Sequence, residues 1–261
     1  MPIDFLLHNF VTYKAISRDK VMLTVAIIIS LVLFSLGFIV TPGNAKYLLS
    51  GYNMMSEADR AKMDIVSYVK FFKRFHIFLG ISELAGVLVL NAFNPNWATV
   101  FMVMYPLLAY VYMIAVGNRY YTGTSGQRVG TYIAMAILIV VVVGVGFLMY
   151  SGMRNSEVFL TARTLEIKGL SGMKIARDDV TYFNVTDSLP DISSKANGFA
   201  AGEFAKGAFK TDDGRIVKLY INKKSHPYLL IQTVEDEIIY FSSDEISAIE
   251  LYNQLKAWKS R

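Results

Sequence analysis

The chain has 261 residues, of which 54% are hydrophobic and 18% charged, an apolar excess over ordinary soluble domains that points to membrane spans. With no cysteine, disulfides, thiolate metal sites, iron–sulfur clusters and cysteine nucleophiles are excluded. The net charge of +5 lies wholly in residues 1–150, with 11 Lys+Arg against 6 Asp+Glu, whereas residues 151–261 hold 15 of each. Basic residues beside apolar runs suit anionic headgroups; without a basic stripe or recognition motif, nucleic acid is not an expected partner.

Residues 21–40 are twenty uncharged residues, enough to cross about 30 Å of hydrocarbon. A cleaved leader is the rival reading, with Gly43-Asn44-Ala45 as the small residues, but leader cores run about 7–15 residues. Between this span and the next, residues 56–74 begin with Ser56 and Asp59, a capping-box-like start. Ile65, Val66, Val69 and Phe72 share one helical face, with Lys62, Lys70, Lys73 and Arg74 off it or at its end. That pattern fits an interfacial helix over residues 56–74, or a polar extension of the second span.

Residues 75–93, 98–116 and 131–150 read as the second, third and fourth spans. Asn94-Pro95-Asn96-Trp97 makes a tight, uncharged connection, so spans two and three should form a helical hairpin. Trp97, Tyr120, Tyr121 and Tyr150 fall near span ends, where amphipathic rings favour the headgroup layer. Pro106 inside the third span is expected to kink it. Orientation stays open: one topology puts six basic residues inside (Lys14, Arg18, Lys20, Arg154, Arg163, Lys168). The other puts eight there (Lys46, Arg60, Lys62, Lys70, Lys73, Arg74, Arg119, Arg128).

From Ser156 the pattern changes to short alternating runs at 158–167, 180–185, 204–210, 216–221, 228–233 and 237–241, which read as strands. Asp212-Asp213-Gly214 should form a hairpin turn. Residues 244–259 read as a helix capped by Ser243, with Ile246, Ile249, Leu251, Tyr252, Leu255 and Trp258 including its apolar stripe. The expected fold is an α-helical membrane bundle of about four transmembrane helices over 1–150. A β-rich barrel or sandwich with a C-terminal helix follows over 156–261.

Two stretches resemble known families. Residues 187–233 carry Leu189-Pro190, Asn197-Gly198, Gly202, Gly207-x-Phe209, Asp213-Gly214, Leu219-Tyr220-Ile221 and Pro227-Tyr228 before Ile231. This pattern resembles the bacterial pleckstrin-homology-like (PH-like) domain often appended to small membrane proteins. Residues 48–64, with Gly51-Tyr52-Asn53-x-Met55-Ser56 and Lys62-x-Asp64, resemble an uncharacterised family of small bacterial multi-span proteins with this loop. The resemblances imply a PH-like fold and a multi-pass protein of the bacterial inner (cytoplasmic) membrane, with the side of the C-terminal domain open. Neither family brings an agreed activity.

Glu83 is the most informative single residue. An ionised carboxylate at mid-span costs at least about 2.5–3.5 kcal/mol, so it should face the bundle interior, protonated or paired. Asn91, Ser82, His76, Tyr105, Tyr110 and Tyr112 are its candidate neighbours. It is either a proton or ligand site, or a neutral carboxyl holding helices or protomers together. On the latter reading Glu83→Leu should loosen the bundle. Lys195, Lys206, Lys210, Arg215, Lys218, Lys223 and Lys224 are expected as a solvated surface. If a ligand-facing basic cluster exists, it should include Lys223 and Lys224 at a strand end, with Lys218 and Arg215.

Asp178-Asp179, Asp212-Asp213 and Ser225-His226 read as turns rather than catalytic sets. Gly198, Gly202 and Gly207 miss the nucleotide-cradle spacings and suit turns and bulges. The three histidines, His8, His76 and His226, lie outside metal-motif spacing. No catalytic residue, metal or cofactor is expected. The functional expectation is a non-enzymatic membrane protein whose PH-like domain docks a protein or peptide, or a second copy, at the bilayer surface. The alternative is a small oligomeric transporter or channel component using Glu83.

Overall fold

The computed structural model describes residues 3–123 and 128–260, with residues 3–20 and 50 by backbone alone. The chain divides after Gly146 into two compact units.

The first unit is helical. Helix α1 (Ile3–Ile39) leads through single turns α2 (Ala45–Leu48), α3 (Ser50–Asn53) and α4 (Glu57–Arg60) into α5 (Ile65–Phe93). Helix α6 (Pro95–Gly117), the 3-10 turn Asn118–Tyr120 and α7 (Val129–Gly152) follow. Four stretches among the described residues are long and apolar enough to cross a bilayer: Val21–Ile39, Ile65–Phe93, Pro95–Tyr120 and Val129–Gly152. This makes the chain a multi-pass membrane protein.

Residues 56–74 do not form one interfacial helix. Ser56 caps α4 as its spacing to Asp59 predicts, accepting from the Asp59 amide at 3.1 Å. The chain then turns, and Asp64 caps a new helix by accepting from the Ser67 amide at 3.0 Å. No breaker follows, so α5 runs unbroken from Ile65 to Phe93, and its first turns extend the second span. Its buried stripe (Val69, Phe72, His76, Leu79, Gly80, Glu83, Val87) continues across the expected boundary at Phe75.

Helix α5 is central, packed against α1 on one side and α6 on the other. Helix α1 presents Ala26, Ser30, Leu33 and Gly37 as its buried face. At Gly80 a Cβ would stand 2.7 Å from the Ser30 carbonyl oxygen and 2.8 Å from Phe34. The two backbones therefore meet without side chains between them, as small residues permit in membranes. Asn94 makes the expected hairpin by serving both helices. Its amide donates to Leu90 O at 2.7 Å, closing α5, and its Oδ1 accepts from the Asn96 amide at 2.8 Å, opening α6. Helix α6 continues through Pro106.

The loops after α1 and α6 meet at one end. Met63 and Tyr121 form an antiparallel bridge, and the Asp64 amide donates to Tyr120 O at 2.9 Å. Tyr121 is thus buried in this junction, its hydroxyl 3.4 Å from Asp59 Oδ1.

The second unit holds two sheets and a helix. Strands β1 (Glu157–Leu160), β2 (Thr164–Lys168) and β3 (Met173–Ala176) form an antiparallel sheet. The run expected as one strand over 158–167 is a hairpin. It reverses at Thr161, whose Oγ1 accepts from the Thr164 amide at 2.9 Å. Strands β4 (Val180–Thr186), β5 (Ile192–Ala201), β6 (Phe204–Thr211), β7 (Ile216–Asn222), β8 (Tyr228–Thr233) and β9 (Ile238–Phe241) form the second sheet, in order β4-β8-β9-β7-β6-β5. Its edges, β4 and β5, do not meet, so no barrel closes and the arrangement is layered. Leu165 and Ile167 of the small sheet, Leu229, Ile231 and Phe241 of the large one, and Leu251, Leu255 and Trp258 of helix α8 (Ala248–Lys259) share one core.

The cap of helix α8 lies four residues beyond the expected one. Ser247, not Ser243, accepts from the Glu250 amide at 3.1 Å, because Ser247 and Glu250 supply the S-x-x-E spacing at this point. Gly198 and Gly207 face each other across β5 and β6 with φ of +137° and +111°. A side chain on Gly207 would stand 2.5 Å from Asn197 O, so the close crossing beside the bulge at 195–197 requires glycine.

Candidate functional site

The buried polar groups of the first unit gather along α5. His76 is buried, with Nδ1 2.8 Å from Phe72 O and Nε2 3.1 Å from the Tyr110 hydroxyl. Ser82 Oγ lies 2.7 Å from the Tyr105 hydroxyl. These two contacts tie α5 to α6 through side chains that the sequence placed near Glu83. Glu83 itself is fully buried, at 0% exposure, and neither carboxylate oxygen has a hydrogen-bond partner among the described residues. Asn91 Oδ1, two turns on, is also buried and unpartnered, as is Ser30 Oγ on α1.

Ser30 was not legible as part of this set. Its backbone approaches Gly80, one turn from Glu83 on the same buried stripe. Only the pairing of the two helices brings it there. The buried side of α5 and its contact with α1 thus carry a carboxyl, an amide oxygen and a hydroxyl without partners among the described residues, where each such group costs free energy. Among the described residues Glu83 has no hydrogen bond to lose, so the loosening expected for Glu83→Leu requires a partner outside them.

In the second unit the four basic candidates sit in pairs at opposite ends of β7. Arg215 holds Asp213 at 2.6 Å beside the β6–β7 turn, and Lys218 holds Glu237 at 2.5 Å. At the other end Lys224 pairs with Glu203 at 2.5 Å, and Lys223 donates to Gly202 O at 3.3 Å. Hydrogen bonds from Arg215 and Thr211 hold the Asp213 carboxyl down at about 2. The four do not converge on one loop.

Lys206 departs most from expectation. The sequence pattern places it with the solvated lysines, yet it is only 1% exposed. Its ammonium donates to Ser151 O at 3.4 Å and to Arg154 O, at the end of α7. Helix ends leave carbonyls unpaired and carry partial negative charge, and a buried cation answers both. Burial, and secondarily the nearby Arg154 guanidinium, push its pKa down to about 8. Alternation along β6 could not reveal this, since the burial comes from α7, distant in sequence. Among the described residues no group of three His, Asp or Glu side chains is placed to hold a metal ion.

Residues 27–121 match the family model described as a domain of unknown function, DUF3784. The match takes in most of the first span, the whole of the second and third, and the Gly51–Asp64 loop that carried one of the two resemblances. No curated protein and no solved structure is similar to the chain.

Proposed function

We propose that the chain is a non-enzymatic scaffold of the bacterial inner membrane whose C-terminal unit, PH-like by its residue pattern, docks a protein or peptide at the bilayer surface. The observation that carries this reading is the free edge of the large sheet: β5 pairs on one side only, with β6, and its first six residues are exposed. Such an edge accepts an added strand. Bulges at 192–194 and 195–197 shorten the usable stretch and favour a short extended segment.

The test is photocrosslinking in native membranes, with the crosslinker placed at Ala196 on β5 and, as control, at Val234 in the β8–β9 turn. A discrete protein adduct from Ala196 but not Val234 is expected. Absence of any adduct from β5 would remove the docking reading.

Glu83 supports a second reading, an oligomeric transporter or channel component. A fully buried carboxyl without a hydrogen-bond partner among the described residues is suited to a proton, an ion or a second protomer. Solute uptake lost in both Glu83→Gln and Glu83→Leu, with oligomer size unchanged, would favour it over the scaffold.

A further inference from the structure

Beyond the docking edge, the second unit contains a hollow of about 350 Å³ where α7 gives way to β1. One side is apolar and belongs to the last turns of the span, Phe147 and Tyr150, both largely exposed. The other side is polar: Arg154, Asn155, Lys168 and Gly169 line it. Arg154 lies 5.5 Å from the centroid of the Tyr150 ring, and the Lys168 ammonium 4.2 Å from that of Phe159, so both cations rest on aromatic faces. Lys206 stands behind them, its Nζ 3.8 Å from where a Cβ on Gly169 would be.

Two polar atoms here are buried without a partner: Asn155 Oδ1, and Ser156 Oγ, which would lie 3.3 Å from that same Cβ. Glu157 is the one acidic residue of the lining. Two cations at the mouth, a third behind and the Ser156 hydroxyl beside them suit an anion, while Asn155 Oδ1 suits a hydrogen-bond donor. The hollow's apolar half at the end of a span distinguishes it from a site for a soluble anion.

We propose that this hollow binds the phosphodiester headgroup of an anionic lipid. Arg154 and Lys168 hold the phosphate, Asn155 Oδ1 accepts from a headgroup hydroxyl, and the acyl chains run along Phe147 and Tyr150. Near a membrane surface each Lys or Arg contributes about fivefold in affinity for anionic lipid. Glu157, on the rim, opposes it.

The experiment follows thermal unfolding of the full-length protein in neutral detergent while phosphatidylglycerol, phosphatidylcholine or inorganic phosphate is added. A saturable rise in midpoint with phosphatidylglycerol and none with phosphatidylcholine is expected. Arg154→Gln and Lys168→Gln should each weaken that response about fivefold, and Glu157→Gln should strengthen it. An equal response to both lipids, or one unchanged in the variants, overturns the proposal. Inorganic phosphate alone reproducing the shift would assign the site to free phosphate and overturn the lipid as its source. If Arg154→Gln unfolds through loss of its Tyr150 contact, Lys168→Gln and Glu157→Gln, both at exposed side chains, decide the matter by their opposite signs.

Discussion

Gly80 and Lys206 each hold two elements together by unlike means. Gly80 lets α5 reach the α1 backbone, and its notional Cβ would already lie within 2.8 Å of Phe34. Gly80→Val should therefore force the helices apart and cost about 1–3 kcal/mol, the usual range for overpacking. Thermal unfolding of the purified protein measures it, and an unchanged midpoint would mean that α1 slides without penalty. Lys206 instead fills a polar need. Lys206→Met keeps the volume but strands the Ser151 and Arg154 carbonyls, which should cost about 1–3 kcal/mol. Chemical unfolding monitored on the β signal of the second unit reads this loss, and no loss would show that water replaces the ammonium.

At the scale of elements, the bridge between Met63 and Tyr121 joins the first loop to the third. Directly opposed residues of an antiparallel pair lie about 4.5–5.5 Å apart at Cα, within the span of a disulfide. The chain has no native cysteine, so Met63→Cys with Tyr121→Cys can be read without interference. Oxidation should close this pair, seen as a gel shift reversed by reductant. Failure to close would separate the two loops.

Elements set by local pattern were legible: the four apolar spans, the Ser56 cap, the tight connection at 94–97 and most strands of the large sheet. Elements set by competition or by distant partners were not. Residues 65–74 carry a polar pattern that fits a surface helix, and only the continuity of the buried stripe joins them to the span. Strand β5, whose side chains are mostly exposed, lacks the apolar alternation by which strands are recognised, and it forms because β6 pairs with it. The same limit hid the burial of Lys206, while Glu83 stood out because its chemistry is foreign to its surroundings wherever it points.

For the molecule as a whole, two buried groups of the second unit give stability a defined response to pH. The folded-state pKa of Lys206 lies near 8, below its ordinary 10.5. Between those values the unfolded chain holds a proton that the folded chain has shed, so stability rises with pH. Burial pushes the Tyr220 hydroxyl up to about 12 from an ordinary 10. Above pH 10 the folded chain therefore retains a proton that the unfolded chain loses, and stability falls. The unfolding midpoint of the second unit should climb from pH 8 toward 10 and then decline. Lys206→Met should remove the climb and Tyr220→Phe the decline; a flat profile in the parent protein would contradict both shifts.

The order of the large sheet also imposes a timetable on biosynthesis. Strand β4 emerges early but pairs only with β8, and β9 must slot between β8 and β7. Neighbours so far apart along the chain make for slow folding. The sheet cannot be completed until the last strand has left the ribosome, long after α7 has entered the bilayer. The nascent second unit therefore waits beside the membrane with β4 uncovered, and a chain cut short before Tyr228 would leave that strand without its partner.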